Sequence, residues 1–264
     1  MSRILTSLHG NKLGLDDQGR LIAPKGVVAG ENGNQFASPS PSTVVWTDDF
    51  VGDVLADQWN YLEGTDTSPT DGAVITAGIG GVLRLTTGDS AGTLAADMAQ
   101  VTGGLLQWQA SNGNLVAQTR VKFNTAVATR YFFFGFTDVV TLEAAIISAG
   151  SGDNITTTAS DAVGFMYDTR MTTDNIWLVG VAANVDATEQ DSLVTPVADT
   201  WTVLRVEINA SGVAVFFING LQVGTAMSGA VTPAADLTPT INFGTLSAAS
   251  VTLDVDYMHI SMAR

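Results

Sequence analysis

Cysteine is absent from this 264-residue chain, which removes thiol nucleophiles, Cys-ligated metals and any disulfide framework at once. A Cys-free chain suits synthesis in a reducing cytosol. Charge is scarce as well: 14% of residues are Asp, Glu, Lys or Arg, against roughly a quarter in ordinary globular domains. Mean hydropathy is nevertheless positive at +0.24, yet no uninterrupted apolar run approaches the ~18 residues of a membrane span. The stretch from Met1 to His9 lacks the continuous apolar run of a secretory signal. Histidine is limited to His9 and His259, and no serine stands in a Gly-x-Ser-x-Gly elbow beside which either could act. A phosphate-binding Gly-x-x-x-x-Gly-Lys loop is missing too; Gly78-Ile79-Gly80-Gly81 precedes a strand-like run and reads as a hairpin bend. Helical periodicity is scarce, and no period of roughly 20 to 50 residues repeats, which argues against a solenoid or propeller.

What is present divides in two. Residues 1–42 carry six glycines, three prolines and the turn-like pair Asn32-Gly33, with aliphatic residues scattered in twos. Such a segment has too little apolar surface to fold alone and reads as an extended arm that gains order by docking on something else. Residues 43–264 are instead a series of short alternating or fully apolar runs separated by Gly, Asn, Asp, Ser and Thr, the pattern of stacked strands. At this length one large all-β domain can bury a core without staples.

The net charge of −15 follows the same division. Arg3, Lys12, Arg20 and Lys25 against Asp16, Asp17 and Glu31 leave the arm at +1, so residues 43–264 carry −16. An acidic body is repelled by nucleic-acid phosphates and by anionic membranes, and neither is expected as a partner.

Along the body, Leu115 to Phe123 alternates cleanly, with Leu115, Ala117, Thr119, Val121 and Phe123 on one face and Gln118, Arg120 and Lys122 on the other. Tyr131 to Phe136, Val163 to Tyr167 and Ile176 to Ala183 are apolar on both faces, as central strands covered on both sides would be. Between Trp201 and Ala226, two strands, the polar link Asn209-Ala210-Ser211-Gly212, and the Asn219-Gly220 pair predict a three-stranded antiparallel meander closed by a type I′ turn. Two glycosylation sequons, at Asn154 and Asn209, read as turn chemistry.

Four segments, in order, resemble the concanavalin A-like jelly roll of legume lectins, laminin G-like modules and one group of β-glucanases. They are Asp49-Phe50-Val51-Gly52-Asp53-Val54-Leu55 followed by Trp59; Val82-Leu83-Arg84-Leu85; Trp201 through Phe216-Phe217-Ile218-Asn219-Gly220; and Val255-Asp256-Tyr257. The resemblance covers roughly residues 45 to 262 and implies an all-β sandwich of antiparallel sheets. An arm ahead of such a jelly roll, in an acidic, Cys-free, Ala/Thr/Gly-rich chain, is also similar to tailed-phage virion proteins, in particular capsid decoration (cement) proteins and fibres. That likeness implies a protein made in the host cytoplasm and seated on the outer surface of the virion. It further implies attachment to the major capsid protein, often as a homotrimer.

The glucanases of this resemblance work with two carboxylates in a Glu-x-Asp-x-x-Glu run on one strand, which suits a retaining mechanism. This chain holds no complete copy. Glu189-Gln190-Asp191 supplies two acids, but Val194 occupies the third place, and a charge cluster in a turn-like stretch is ordinarily just solvated. Catalytic residues are therefore assigned to none. Asp48/Asp49 and Asp254/Asp256 are oxygen-rich pairs, and Asp256 matches the place of a structural calcium in some jelly-roll relatives. Alternating Asp on a strand is more commonly its wet face, and neither a metal nor a cofactor is assigned. Of the tryptophans, Trp59 and Trp201 match core positions, while Trp108 between two glutamines is the candidate sugar-stacking ring.

These readings combine into an expectation: a non-enzymatic capsid decoration protein, with arm 1–42 and jelly roll 43–264. The partner-binding residues are Leu5, Leu8, Leu13, Leu15, Leu21, Ile22, Val27 and Val28. The alternatives are a glycan-binding module of a phage fibre using Trp108 and, further off, a glycoside hydrolase.

Overall fold

The computed structural model describes residues 4–6, 12–15, 21–22, 42–52, 54–64, 72–76, 81–89, 94–141, 145–151 and 153–264. For the first three stretches, for 72–76, and for Ala95 and Ala96, only the backbone is described. Contacts divide the chain into two units, Met1–Val44 with Arg264, and Val45–Ala263. In the first, Ile4–Thr6, Lys12–Leu15 and Leu21–Ile22 pair antiparallel, with Leu5 opposite Leu13 and Leu15 opposite Leu21. The stretch that reads as an unpaired extended arm thus contains short strands that satisfy one another's backbone groups.

The second unit is a sandwich of two antiparallel sheets. The first sheet runs Val185–Asp186, Trp177–Ala182, Ala162–Asp168, Arg130–Thr137, Thr238–Thr245, Ala99–Thr102, Asn60–Glu63, with Gln190–Asp191 also pairing on Trp177–Ala182. The second runs Leu221–Met227, Ala214–Ile218, Thr202–Ile208, Leu115–Phe123, Thr252–Ala263, Val82–Thr86, Gly72–Thr76, with Thr43–Asp48 also pairing on Thr252–Ala263.

Leu115–Phe123 alternates buried and half-buried residues throughout, as its apolar/polar alternation requires of a strand with one wet face. In the three central strands of the first sheet, every residue from Arg130 to Thr137, Ala162 to Asp168 and Thr238 to Thr245 is buried. Both faces of that sheet are therefore covered. Inward, Phe123 meets Phe132, Tyr167 and Phe243 edge-on at 5.5 to 6.1 Å between ring centres, and Phe165 meets Phe216 at 5.4 Å. These edge-to-face contacts knit the two sheets into one core. The predicted meander is present: Ile218 pairs with Leu221 across Asn219-Gly220, whose φ angles of 51° and 80° are those of a type I′ turn. A bulge between Val255 and Tyr257 shifts the last strand's register against Leu115–Phe123.

Candidate functional site

The outer face of the first sheet is the one turned away from the second sheet. Register fixes its side chains. Tyr131, Phe133, Gly135 and Thr137 stand opposite Asp168, Met166, Gly164 and Ala162 on one side, and opposite Gly244, Asn242, Thr240 and Thr238 on the other.

Most of this face is filled. Ile147–Ala149 and Ile155–Thr157 form a hairpin outside the sheet, and Ala145, Ile146, Ile147, Ile155 and Ala159 pack on Tyr131, Phe133, Met166, Trp177 and Val179 in a buried cluster. The hairpin is also tied down by polar contacts. The Ile146 amide donates to the Tyr131 hydroxyl at 3.2 Å, and the Ala149 amide donates to Asp168 at 2.9 Å. Burial pushes the Tyr131 phenol far above its usual range, the Asp168 charge adding to the effect. Asp168 itself is fully buried and is held bidentately by Arg170, at 2.9 and 2.6 Å.

The remaining strip of the face is polar and also buried: Gln100, Thr102, Thr238, Thr240 and Asn242. Asn242 donates to Gln100 at 2.9 Å, and the Thr102 and Thr238 hydroxyls lie 3.3 Å apart. By register three carboxylates fall on this face: Asp168, buried and held by Arg170, and Asp186 and Asp191 on the two short edge pieces, opposite Val181 and Trp177. Glu189 lies outside the strands, and Asp191 stands at the sheet edge opposite Trp177. Asp191 accepts from Thr173, Asn175 and the Leu193 amide, which makes it a turn-forming group.

A pocket of about 590 Å³ opens beside the hairpin. Leu94, Ala145 and Leu246 give it apolar walls, while Ser148, Thr156, Thr169 and Arg170 contribute polar groups. Arg170 spends Nε and Nη2 on Asp168, leaving Nη1 for other contacts. Pairing opposes Ser148 to Thr156, so their side chains share one face of the hairpin. Hydroxyl composition alone gives no sequence signal for this pocket, because threonine and serine are spread along the whole chain.

Trp108 is only 5% exposed, which corrects its reading as a free sugar platform. Its ring stacks at 6.3 Å on Trp46, which stacks at 4.2 Å on Trp59. The backbone of Trp108 bridges Leu237, so the flanking glutamines mark a strand-like turn and not an exposed ring. Trp59 also donates to Asp48 at 2.8 Å, and the Phe50 amide donates to the same carboxylate at 2.7 Å.

The other acid pair is engaged by cations. Asp254 receives Arg84 at 2.7 Å and Lys122 at 3.2 Å, and Asp256 receives Arg120 at 2.9 Å. Burial raises the Asp254 pKa, but hydrogen bonds from Arg84, Asn124 and Lys122 outweigh that and leave it below its ordinary value. His259 shares a hydrogen bond of 2.8 Å with Thr47, and burial, with Arg205 nearby, lowers its pKa. His9 lies outside the described residues. Of the expected docking residues, Leu5, Leu13, Leu15, Leu21 and Ile22 lie on the paired strands of the first unit; Leu8, Val27 and Val28 lie outside the described residues.

No protein-family description matches the chain, and no curated protein is similar enough in sequence to count as a relative. Solved structures do match. A protein of unknown function from Shewanella oneidensis MR-1 is 14% identical, with 86% of this chain and 89% of that one covered at a TM-score of 0.54. The β-glucanase of Bacillus licheniformis is 11% identical, with 82% and 97% covered at 0.51. The carbohydrate recognition domain of Emp47p is 7% identical, with 86% and 99% covered at 0.56. The fold is thus a concanavalin A-like β-sandwich, as its topology and these likenesses agree; at such identities they speak for the fold alone.

Proposed function

We propose that this chain is a non-catalytic structural protein, carried on a larger assembly by its N-terminal segment, and that the assembly is a viral capsid which it decorates. The observation that carries this reading is the filled sheet face. A retaining or inverting glycosidase needs two carboxylates flanking an open cleft; here the face is packed with Phe133, Met166, Trp177 and an apolar hairpin. Attachment through residues 1–42 draws on their scattered Leu, Ile and Val side chains and on a charge of +1 beside a body of −16. Each contact is weak, since ordering a segment offsets much of the burial it gains, so symmetric multivalency supplies firm attachment. Deletion of residues 1–42 is expected to leave a folded sandwich that no longer sediments with capsids. A truncated chain that still co-sediments refutes the reading.

A second reading, saccharide recognition, is favoured by the hydroxyl-lined pocket. Its polar groups and apolar walls match the mixed faces of a sugar ring. Glycan-array binding lost in Thr156→Val would support it, and a blank array would remove it.

A further inference from the structure

The outward face of the second sheet gathers most of the body's positive charge. Residues 43–264 contain seven basic side chains. Arg84, Arg120, Lys122 and Arg205 all stand on this one face, in ion pairs with Asp254, Asp256 and Glu207. Four cations against three carboxylates leave the face at +1; the rest of the body carries three cations against twenty acids, or −17. The cations are also laid over aromatic rings. The Arg120 guanidinium lies 4.8 Å and the Lys122 ammonium 5.1 Å from the Trp201 ring centre, and Arg205 lies 5.2 Å from that of Phe217. Tyr257 adds a third ring, fixed by Gln118 at 2.6 Å. Ordered arginines beside Trp, Tyr and Phe make up the residue set on which protein interfaces concentrate their binding energy.

We infer that this face binds the acidic surface of a second copy of the same chain, in a head-to-tail contact. Two such faces paired with each other would set net positive charge against net positive charge, whereas the rest of the body offers net negative charge. The complementary charge lies elsewhere on the molecule. A contact between unlike surfaces is heterologous, and it closes into a ring, a trimer being the smallest, or else runs on as a filament. Six strands at about 4.8 Å spacing, each about seven residues of 3.3 Å long, cover roughly 670 Å². That is below the ~800 Å² per partner of a standard interface, so the contact is weak and salt-dependent.

Sedimentation of the full chain at about 0.02 M and about 1 M salt tests this. The expected result is an oligomer at low salt that dissociates at least tenfold more readily at high salt. Arg120→Gln with Arg205→Gln weakens it by a similar factor, and Phe217→Ser weakens it with every charge retained. Lys122 is the only lysine of residues 43–264, so carbodiimide cross-linking in a mixture of isotope-labelled and unlabelled chains reports its neighbour directly. Cross-links to carboxylates away from this face support the inference. Links to the other copy's Asp254, Asp256 or Glu207 overturn it, as does a monomer at all concentrations or an oligomer indifferent to salt and to all these substitutions.

Discussion

If the hairpin at 147–157 is a permanent part of the core, then Ile147→Ala must cost what a core truncation costs. Ile147 is fully buried, within the cluster that covers Phe133 and Met166. The substitution removes about three carbons, and at ~0.8 kcal/mol each that is roughly 2.4 kcal/mol of lost transfer energy. A cavity that fails to collapse raises this toward 4 to 5 kcal/mol. The hairpin lies outside the sheets and can settle inward, so the lower part of the range, about 2.5 to 3 kcal/mol, is expected. For a domain of this size that corresponds to a fall in Tm of roughly 5 to 12 °C. Calorimetry with urea unfolding reads the global cost. Hydrogen exchange at the Ala149 and Thr158 amides, which donate to Asp168 and to the Ile146 carbonyl, reads whether the hairpin opens by itself. A cost below about 0.5 kcal/mol, the level of a surface change, or free exchange at both amides in the unmodified protein, would refute the claim that the face is filled. The non-catalytic reading would then lose its main support.

Asp254 anchors Arg84 and Lys122 with a side chain 4% exposed. Asp254→Asn is expected to cost about 2 to 3 kcal/mol, less than the ~3 to 5 kcal/mol of a fully buried pair because both partners reach solvent. Its folded pKa is depressed, so its ionised form contributes stability that is fully present above the unfolded value of about 3.9 and is lost as pH falls through the lower folded value. Urea midpoints for the wild type should therefore drop across that acid window, while the Asn variant lacks that component of the slope; parallel curves would contradict the assignment. Gly135 faces Gly164 across two central strands, and a Cβ at Gly135 would lie 2.1 Å from the Val163 carbonyl oxygen. Gly135→Ala should force those strands apart and cost several kcal/mol; an Ala variant within ~1 kcal/mol of wild type in chemical denaturation would show that the strands yield.

The strands were legible in the amino-acid order because their signals are local. Alternation in Leu115–Phe123, two-sided apolarity in Arg130–Thr137 and Asn219-Gly220 between two runs each need only neighbouring residues to be interpreted. The sequence likewise excluded thiol chemistry and a complete glucanase triad, since a residue that is not there needs no geometry. It did not reveal what covers the first sheet. Ile155 sits inside a sequon that reads as turn chemistry, Ile146 and Ile147 form an apolar run too short to assign, and only the hairpin's return onto Tyr131 and Met166 turns them into core. Trp108 was misread for the same reason: its sequence neighbours are polar, but Trp46, some sixty residues away, lies on its face. The cations show the division most plainly. Arg84, Arg120, Lys122 and Arg205 are scattered over 120 positions of an acidic chain, and strand order alone, a long-range outcome of which edges pair, gathers them onto one surface.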